Sequence, residues 1–341
     1  MSIRIAINGF GRIGRLSLRA IFEHRDTEFE IVGINDLADN ETLAHMLKYD
    51  SVHGRFPFPV THAADSITVN GQSIPAFAIR DPKDLPWRDL DVDIVFECTG
   101  LFRTKELAGG HIRAGAKRVL ISAPAKDDSK MIVYGVNQDI LTGDDVIISN
   151  ASCTTNGLAP IAKLLHEHFT IEGGVLTTVH AYTMSQPILD KAGKDLYRGR
   201  AAALSMVPTT TGAAKAIGRV LPELDGKLSG VALRVPVPDV SVIDLNVNVK
   251  TPTDAESLNA LFRQASQHAY KGILGYAEDK MVSVDLVHDD HSSIIVPDQT
   301  IVQNAGRLLR IFAWYDNEWG FANRMCDTAK HFAHVSGISK G

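Results

Sequence analysis

A single cysteine stands among small hydroxyl residues where an apolar run gives way to a helical pattern. Cys153 lies in the stretch SNASCTTNGLAP, after the β-branched run 146–148 and before a helical stripe that begins at Leu158. This spacing predicts a strand-to-helix turn with Cys153 near the helix N-terminus, where free backbone N–H groups and the helix dipole favour ionisation of a thiol. Cys153 is therefore a candidate nucleophile. The alternative is a small buried cysteine beside helix-capping hydroxyls.

The start of the chain carries a second chemical pattern. A strand-like run, 3–7, leads into NGFGRIG, and a helical stripe follows from Leu16. Gly9 permits a tight turn, Gly11 lets the backbone approach a pyrophosphate, and Gly14 allows close packing of helix on strand. The motif predicts a dinucleotide site with the diphosphate over the helix N-terminus.

The next apolar strand, 30–35, ends at an acid. Asp36 lies at about the offset expected for the carboxylate that hydrogen-bonds the ribose hydroxyls of the adenosine. Because a carboxylate repels a 2'-phosphate, Asp36 predicts NAD rather than NADP. The alternative is an acid that only caps the end of the strand.

The elements that position these residues differ on the two sides of Cys153. Before it, apolar runs at 93–99, 118–123 and 146–148 alternate with a helical stretch at 105–116. Strands separated by helices predict an α/β domain with a Rossmann-type doubly wound parallel sheet.

After Cys153 the apolar residues alternate with polar ones instead. The alternation covers 231–237 and 240–250 and parts of 281–287, and helical spacing appears at 253–270. We interpret this half as an α+β domain built on a mixed sheet. The long segment 183–208 predicts a functional or interfacial loop.

Composition restricts the class of protein. The 341 residues carry a formal net charge of -5, and the length suits about two domains. The basic residues form no run, so no nucleic-acid partner is expected. The three cysteines are widely spaced and form no metal-ligand pattern, which predicts no metal site, no disulfide framework and a reducing compartment. Charged residues interrupt the N-terminal apolar run, so a cytoplasmic protein without membrane contact is expected.

Several long motifs resemble one family, the phosphorylating glyceraldehyde-3-phosphate dehydrogenases. They are INGFGRIGR, HMLKYDSVHG, ASCTTNGLAP, TGAAKAIGRVLPEL and WYDNEWGFANR, and they extend over essentially the whole chain. The resemblance implies an NAD-binding domain at 1–152, a catalytic domain at 153–317, and a C-terminal helix at 318–341 that returns to the first domain. It also implies a homotetramer.

The resemblance implies the chemistry as well. Cys153 is the nucleophile and His180 is its base, and a thiolate beside an imidazole is expected to form readily near neutral pH. The thiohemiacetal formed with D-glyceraldehyde 3-phosphate transfers hydride to NAD. Inorganic phosphate then attacks the thioester and releases 1,3-bisphosphoglycerate, a reaction of glycolysis.

By the same resemblance, binding residues surround this pair. Two anion pockets are expected, and we assign to the substrate and the attacking phosphate Ser152, Thr154, Thr183, Arg198, Thr211, Gly212 and Arg234. The alternative for each residue alone is a capping threonine or a solvated arginine. The residues assigned to NAD are Gly9, Gly11, Arg12, Ile13, Gly14, Asp36, Arg80, Ser122 and Asn317.

The sequence departs from the family pattern at a few positions. Gly157 replaces a common second cysteine, which removes a disulfide partner for Cys153 and is expected to make the helix more flexible. Changes at 184–193 affect the loop expected to reach a neighbouring subunit's cofactor, where Lys191 could tolerate a 2'-phosphate. Phe321 replaces a common tyrosine.

Two alternative functions compete with this one. The first is erythrose-4-phosphate dehydrogenase, a sister family that usually lacks the threonine at Thr183 and the pair Thr211–Gly212; their presence here favours the triose phosphate. The second is a non-catalytic, NAD-responsive redox sensor, which would need Cys153 but neither His180 nor the anion pockets.

Overall fold

The computed structural model describes residues 2–193 and 195–338 and divides the chain into two compact units. The first contains the residues up to Ser152 and those from Ala322 onward, and the second is Cys153–Phe321. Of the segments predicted from the sequence, Met1, Lys194 in the loop 183–208 and the last three residues of 318–341 lie outside the described residues.

The first unit contains ten strands and three complete α-helices among its described residues. The strands are β1 Ile3–Asn8, β2 Phe29–Asn35, β3 Tyr49–Asp50, β4 Gly54–Arg55, β5 Val60–His62, β6 Ser66–Val69, β7 Gln72–Phe77, β8 Ile94–Glu97, β9 Arg118–Ile121 and β10 Ile147–Ser149. The helices are α1 Arg12–Glu23, α2 Asn40–Lys48 and α3 Lys105–Arg113.

Its main sheet has the strand order β10-β9-β8-β1-β2-β7-β6-β5. Neighbours from β10 to β7 pair in parallel, and β6 and β5 continue antiparallel. The six parallel strands follow the 3-2-1-4-5-6 order of dinucleotide-binding folds, in which β1 and β8 flank the point where the strand order reverses. The predicted Rossmann-type sheet is confirmed.

The helices begin where the sequence supplies capping side chains. Asp39 accepts the Thr42 N–H at the start of α2, and Thr104 accepts the Leu107 N–H at the start of α3. The start of α1 at Gly11 has no such side-chain bond.

No helix of the described residues is long and apolar enough to cross a membrane.

The second unit contains the remaining elements. They are α4 Cys153–Phe169, β11 Ile171–Ala181, β12 Val207–Thr210, α5 Ala213–Val220, β13 Leu228–Val235, β14 Ser241–Val249, α6 Ala255–Gln267, β15 Leu274–Tyr276, β16 Ser293–Ile295, β17 Ile301–Gln303 and β18 Leu308–Tyr315. Helix α7, Trp319–Val335, begins in this unit and continues into the first.

Its sheet is mixed, as predicted, with the order β12-β13-β11-β14-β18-β16-β15 and β17 paired to β18. β11 pairs parallel with β13 and antiparallel with β14. Along β14 the apolar side chains are buried, while Asp244, Asn246 and Asn248 are more exposed, so the alternation seen at 240–250 corresponds to one covered face.

The alternation at 281–287 indicated a strand, and this prediction is wrong. This stretch contains a 3-10 helix at Ser283–Leu286. The Asp285 carboxylate accepts the Val282 N–H at 2.8 Å, and such a local bond favours a turn over a strand.

Candidate active site

The turn before Cys153 is held by short-range hydrogen bonds. β10 ends at Ser149, and Ala151 adopts a positive φ of 57° before α4 begins at Cys153. The Ala151 N–H donates to Ser149 Oγ at 3.0 Å, and this hydroxyl donates to the Ala123 carbonyl at 2.7 Å. The structure therefore places Cys153 at the first position of a helix, directly after a constrained turn.

Cys153 and His180 lie together in the second unit. Cys153 Sγ is 3.5 Å from His180 Nε2, and His180, near the end of β11, is only 4% exposed. His180 Nδ1 is 2.7 Å from the Ala181 carbonyl oxygen. The Ala181 carbonyl only accepts, so it favours a proton on Nδ1 with the Nε2 lone pair directed at the thiol, whereas Arg234 Nη1, a donor 3.0 Å from the same Nδ1, opposes this tautomer.

The protonation state differs from the one expected from the sequence. Burial raises the pKa of the Cys153 thiol, although the nearby Arg234 charge opposes this shift. Burial, assisted by the same arginine, lowers the pKa of His180 to about 3. The shift of the Cys153 pKa is therefore opposite in direction to the one predicted from the sequence, because desolvation outweighs the helix terminus.

Arg234 lies on β13, opposite His180 in the parallel register with β11. Its Nη1 donates to the Ala181 carbonyl at 2.8 Å and lies 3.0 Å from His180 Nδ1. Its buried Nε has no hydrogen-bond partner among the residues that the structure describes. A buried guanidinium with an unused donor is suited to bind an anion.

Tyr315, the last residue of β18, was missed in the sequence. Its hydroxyl lies 2.8 Å from Thr154 Oγ1 and 2.8 Å from Thr178 Oγ1. Its ring packs edge-on against the His180 ring, with centroids 5.9 Å apart. Every second side chain of β18 is buried, and Tyr315 is one of them. The partners of its hydroxyl depend on which strands are neighbours in the sheet, which the sequence does not state.

The predicted phosphate residues other than Ser152 occupy separate segments of the second unit. Arg198 Nε donates to Thr209 Oγ1 at 2.9 Å, and the Arg198 charge contributes to lowering the pKa of His180. Thr183 Oγ1 lies 3.0 Å from Ser185 Oγ, and Thr211 Oγ1 accepts the Ala213 N–H at 3.2 Å.

The other two predicted phosphate residues flank helices. Gly212 is exposed at the start of α5, and Ser152 immediately precedes Cys153. Of the predicted phosphate residues, Arg234 contacts His180 directly. Thr154 contacts Tyr315, whose ring packs against His180.

The glycine motif of the first unit fits a dinucleotide. Gly9 has a positive φ of 88°, and a Cβ there would lie 2.6 Å from the Thr99 nitrogen. A Cβ on Gly14 would overlap the Gly9 carbonyl oxygen, whereas a Cβ on Gly11 would have no described atom within 4 Å. The turn therefore packs tightly against the protein at Gly9 and Gly14. At Gly11 it leaves space for a diphosphate to approach the backbone closely.

The remaining predicted cofactor residues have varied surroundings. Asp36 accepts the N–H groups of Phe10 at 2.8 Å and Ala38 at 3.1 Å, and the Arg12 guanidinium forms an ion pair with Asp50. Arg80 is exposed, while Ile13 and Ser122 are half-buried.

Asn317 belongs to the second unit and is 5% exposed. Its Oδ1 accepts the Ser241 hydroxyl at 2.6 Å, and that hydroxyl accepts the Ala181 N–H at 3.0 Å. The amide of Asn317 is thus linked to the residue that follows His180, a connection absent from the sequence pattern.

Gly157 has a packing role that the sequence did not predict. A Cβ at this position would lie 2.9 Å from Ile243 Cδ1 and 3.1 Å from the Ser292 carbonyl oxygen. The expectation of added helix flexibility is therefore wrong, because α4 is packed tightly at this glycine.

Two family models match the chain. Residues 152–317 match the model described as glyceraldehyde 3-phosphate dehydrogenase, C-terminal domain, and residues 3–105 match the model described as its NAD binding domain. A protein named glyceraldehyde-3-phosphate dehydrogenase from Cereibacter sphaeroides is 56% identical over 96% of this chain and 98% of its own length. Proteins with the same name from Xanthobacter flavus and Pseudomonas aeruginosa are 54% and 53% identical, with the same coverage of both chains.

Proposed function

The chain belongs to the glyceraldehyde-3-phosphate dehydrogenase family, and we propose that Cys153 and His180 carry out its reaction. It is an NAD-dependent enzyme that oxidises glyceraldehyde 3-phosphate with uptake of inorganic phosphate, a step of glycolysis. The single observation that carries the assignment of residues is the 3.5 Å approach of Cys153 Sγ to His180 Nε2.

His180 activates the thiol at the moment of attack. Its Nε2 lone pair accepts the Cys153 proton as Sγ bonds to the aldehyde carbon, which gives a thiohemiacetal. The Ala181 carbonyl holds the opposite ring nitrogen and so keeps Nε2 directed at sulfur. The pKa of His180, lowered to about 3 by burial and Arg234, keeps this acceptor neutral throughout the neutral pH range.

Oxidation leaves a thioester on Cys153. Bound at the residues assigned to it below, NAD would supply the acceptor for the hydride that leaves the former aldehyde carbon. His180 passes the thiol proton to the former aldehyde oxygen to complete the thiohemiacetal, and it takes this proton back from the hydroxyl as the carbonyl re-forms. Phosphate then attacks the thioester carbon, the C–S bond breaks, and the acyl phosphate leaves while Cys153 recovers its proton from His180.

Arg234 contributes the charge for anion binding. Its unused, buried Nε points to a phosphate or an oxyanion as the missing partner. We assign the substrate phosphate to Arg234 with Thr183, and the attacking phosphate to a second group that contains Ser152, Thr154, Thr211 and Gly212. Arg198 serves between the two groups.

NAD is the cofactor, and the first unit supplies all of the residues assigned to it except Asn317. We assign the diphosphate to the turn of Gly9, Gly11 and Gly14 with Arg12 and Ile13, because only Gly11 leaves its Cβ position open. Asp36 is assigned to the adenosine ribose. Further assigned contacts are Arg80, Ser122 and, at the nicotinamide amide, Asn317.

We also propose a homotetramer in the cytoplasm. Large apolar side chains are exposed along 184–206, among them Met184 at 79%, Ile188 at 82%, Leu196 at 85% and Leu204 at 78%. An apolar surface of this kind in a single chain favours contact with further copies of it. A cytoplasmic location keeps the thiol of Cys153 reduced.

The deciding experiment is NADH formation from D-glyceraldehyde 3-phosphate. We expect turnover that requires phosphate, prefers NAD to NADP, and is more efficient than turnover of erythrose 4-phosphate. C153S should retain NAD binding but lose at least about 10⁴-fold in kcat, since the nucleophile is removed. Retained turnover in C153S would refute the assignment, and higher kcat/KM for erythrose 4-phosphate would favour the sister activity.

A further inference from the structure

Three neighbouring strands of the first unit end in buried polar residues. Asn35, Asn8 and Glu97 are the last residues of β2, β1 and β8, and they lie opposite one another in the parallel register. Asn35 is 4%, Asn8 2% and Glu97 1% exposed. Burial of a polar row is unfavourable unless each group is hydrogen-bonded.

The Glu97 carboxylate accepts hydrogen bonds from three residues. Asn8 Nδ2 donates to Oε2 at 2.6 Å, and His111 Nε2 lies 3.0 Å from the same oxygen. The other oxygen, Oε1, accepts the Thr99 N–H at 2.9 Å and the Thr99 hydroxyl.

Trp87 determines which nitrogen of His111 carries the proton. The indole N–H, which can only donate, lies 2.9 Å from His111 Nδ1. Nδ1 therefore presents its lone pair, and Nε2–H donates to Glu97. All four groups that contact the carboxylate are donors, so both oxygens of Glu97 act only as hydrogen-bond acceptors.

The network continues across the edge of the sheet to Ile79. Asn35 Nδ2 donates to Asn8 Oδ1 at 2.7 Å and to the Ile79 carbonyl at 2.9 Å, and the Ile79 N–H donates to Asn35 Oδ1 at 2.9 Å. One connected set of hydrogen bonds thus joins four chain segments at the carboxyl ends of the strands.

Network residues directly precede the residues assigned to the cofactor. The adjacent pairs are Asn8–Gly9, Asn35–Asp36 and Ile79–Arg80. On the other side, the Thr99 nitrogen lies within 2.6 Å of where a Gly9 Cβ would be, so the position of Thr99 also determines the space for the turn.

We propose that Glu97 is a positioning residue of the dinucleotide site, which sets the affinity for NAD by holding Asn8 and Thr99 on the two sides of Gly9. The inference rests on the cofactor site proposed above. Glu97 acts through the backbone of the turn and needs no contact with the cofactor itself. A turn held in its binding conformation avoids the ordering cost of binding.

The test is E97Q in the full-length enzyme, with NAD binding measured by titration calorimetry. The amide nitrogen turns one acceptor into a donor that faces other donors. We expect Kd and KM for NAD to rise roughly tenfold, because hydrogen bonds to a charged group are lost. Saturating NAD should restore kcat, and the rate of Cys153 alkylation by iodoacetamide without NAD should not change. An unchanged Kd would overturn the proposal.

Two further variants separate positioning from general destabilisation. W87F removes the buried hydrogen bond that sets the His111 tautomer but leaves the Asn8 and Thr99 donors to Glu97, so it should lower Tm while NAD affinity falls less than in E97Q. Equal losses of affinity in W87F and E97Q would overturn the proposal.

T99V removes one donor at a half-buried position and should weaken NAD binding roughly threefold. If E97Q does not fold, T99V decides the question, and unchanged affinity in T99V overturns the proposal. Absence of NAD binding in the wild-type enzyme would refute the cofactor site instead, so the two failures are distinguishable.

Discussion

Glu97 in the first unit and Arg234 in the second are both charged groups beside a histidine, but their surroundings differ. Glu97 accepts four hydrogen bonds, and His111 is one of the donors. Arg234 donates to the Ala181 carbonyl but retains a buried Nε without a partner among the described residues. The carboxylate is satisfied by the fold, while the guanidinium is only partly satisfied.

This difference separates a positioning site from a binding site. A satisfied buried network stabilises one backbone arrangement and leaves nothing to bind a ligand. A buried donor without a partner keeps its hydrogen bond for an incoming anion, at a cost in stability. His180, next to Arg234, correspondingly has its pKa lowered to about 3 by burial and by this charge.

The sharpest test of the second region is H180N. Loss of the general base should lower kcat by about 10²–10⁴-fold, while the affinity for NAD stays unchanged, because the first unit supplies the predicted cofactor turn. H168N, at an exposed histidine on α4, is the matched control and should retain wild-type kcat. Steady-state kinetics with retained turnover in H180N would contradict the role of His180.

In the first region, D50N probes an acid whose role is structural. Burial raises the pKa of Asp50, but the His53 and Val52 N–H groups and Arg12 outweigh it and lower the pKa to about 2. Because the folded value lies below the unfolded one, the carboxylate stabilises the fold above about pH 4, and this contribution is lost as the pH falls toward 2.

We therefore expect D50N to lower the free energy of unfolding by about 2 kcal/mol at pH 7, and by progressively less as the pH falls below 4. Urea unfolding at pH 7 and at a pH below 4 measures this change. The control is D144N, at an exposed acid. Equal stability of D50N and D144N at pH 7 would show that Asp50 contributes nothing.

Y315F tests whether the catalytic pair of the second region also depends on a satisfied hydroxyl. The change removes the group that bridges Thr154 and Thr178 but keeps the ring against His180. We expect kcat/KM to fall about tenfold, the equivalent of about one hydrogen bond. Y276F, on β15, should behave as wild type. Unaltered kcat/KM in Y315F would remove Tyr315 from the site.

The smallest effect is expected for G157A. The added Cβ meets Ile243 and the Ser292 carbonyl, so a strain of about 1–3 kcal/mol exceeds the gain of up to about 1 kcal/mol in helix propensity. A net loss of about 1 kcal/mol should lower Tm. In G109A the Cβ meets only the flexible end of Arg113, and Tm should rise. A rise in both variants would refute tight packing at Gly157.

Local patterns predicted much of the fold. The apolar run 3–7 lies within β1, and the glycine motif spans the turn from β1 into α1. These features depend on side-chain periodicity and on steric limits at single residues, which a sequence displays directly. The prediction for 281–287 failed because the hydrogen bond from the Val282 N–H to the Asp285 carboxylate favours a turn over the strand that the alternation indicated.

The catalytic geometry was predictable only through the family resemblance. Cys153 and His180 are separated by the whole of α4 and most of β11, and Arg234 reaches them through the register of β11 with β13. Periodicity places each residue on a helix or strand, but it does not state which strands are neighbours. Tyr315 and Glu97 were missed for the same reason.

By itself the sequence determined the dinucleotide turn, the strand-to-helix turn at Cys153 and the division into a parallel and a mixed sheet, because these follow from short-range sterics and periodicity. Only the tertiary structure decided the charge state of the cysteine and histidine, the unused donor of Arg234 and the satisfied carboxylate of Glu97. Desolvation and hydrogen-bond satisfaction depend on every group that surrounds an atom, and those groups come from distant parts of the chain.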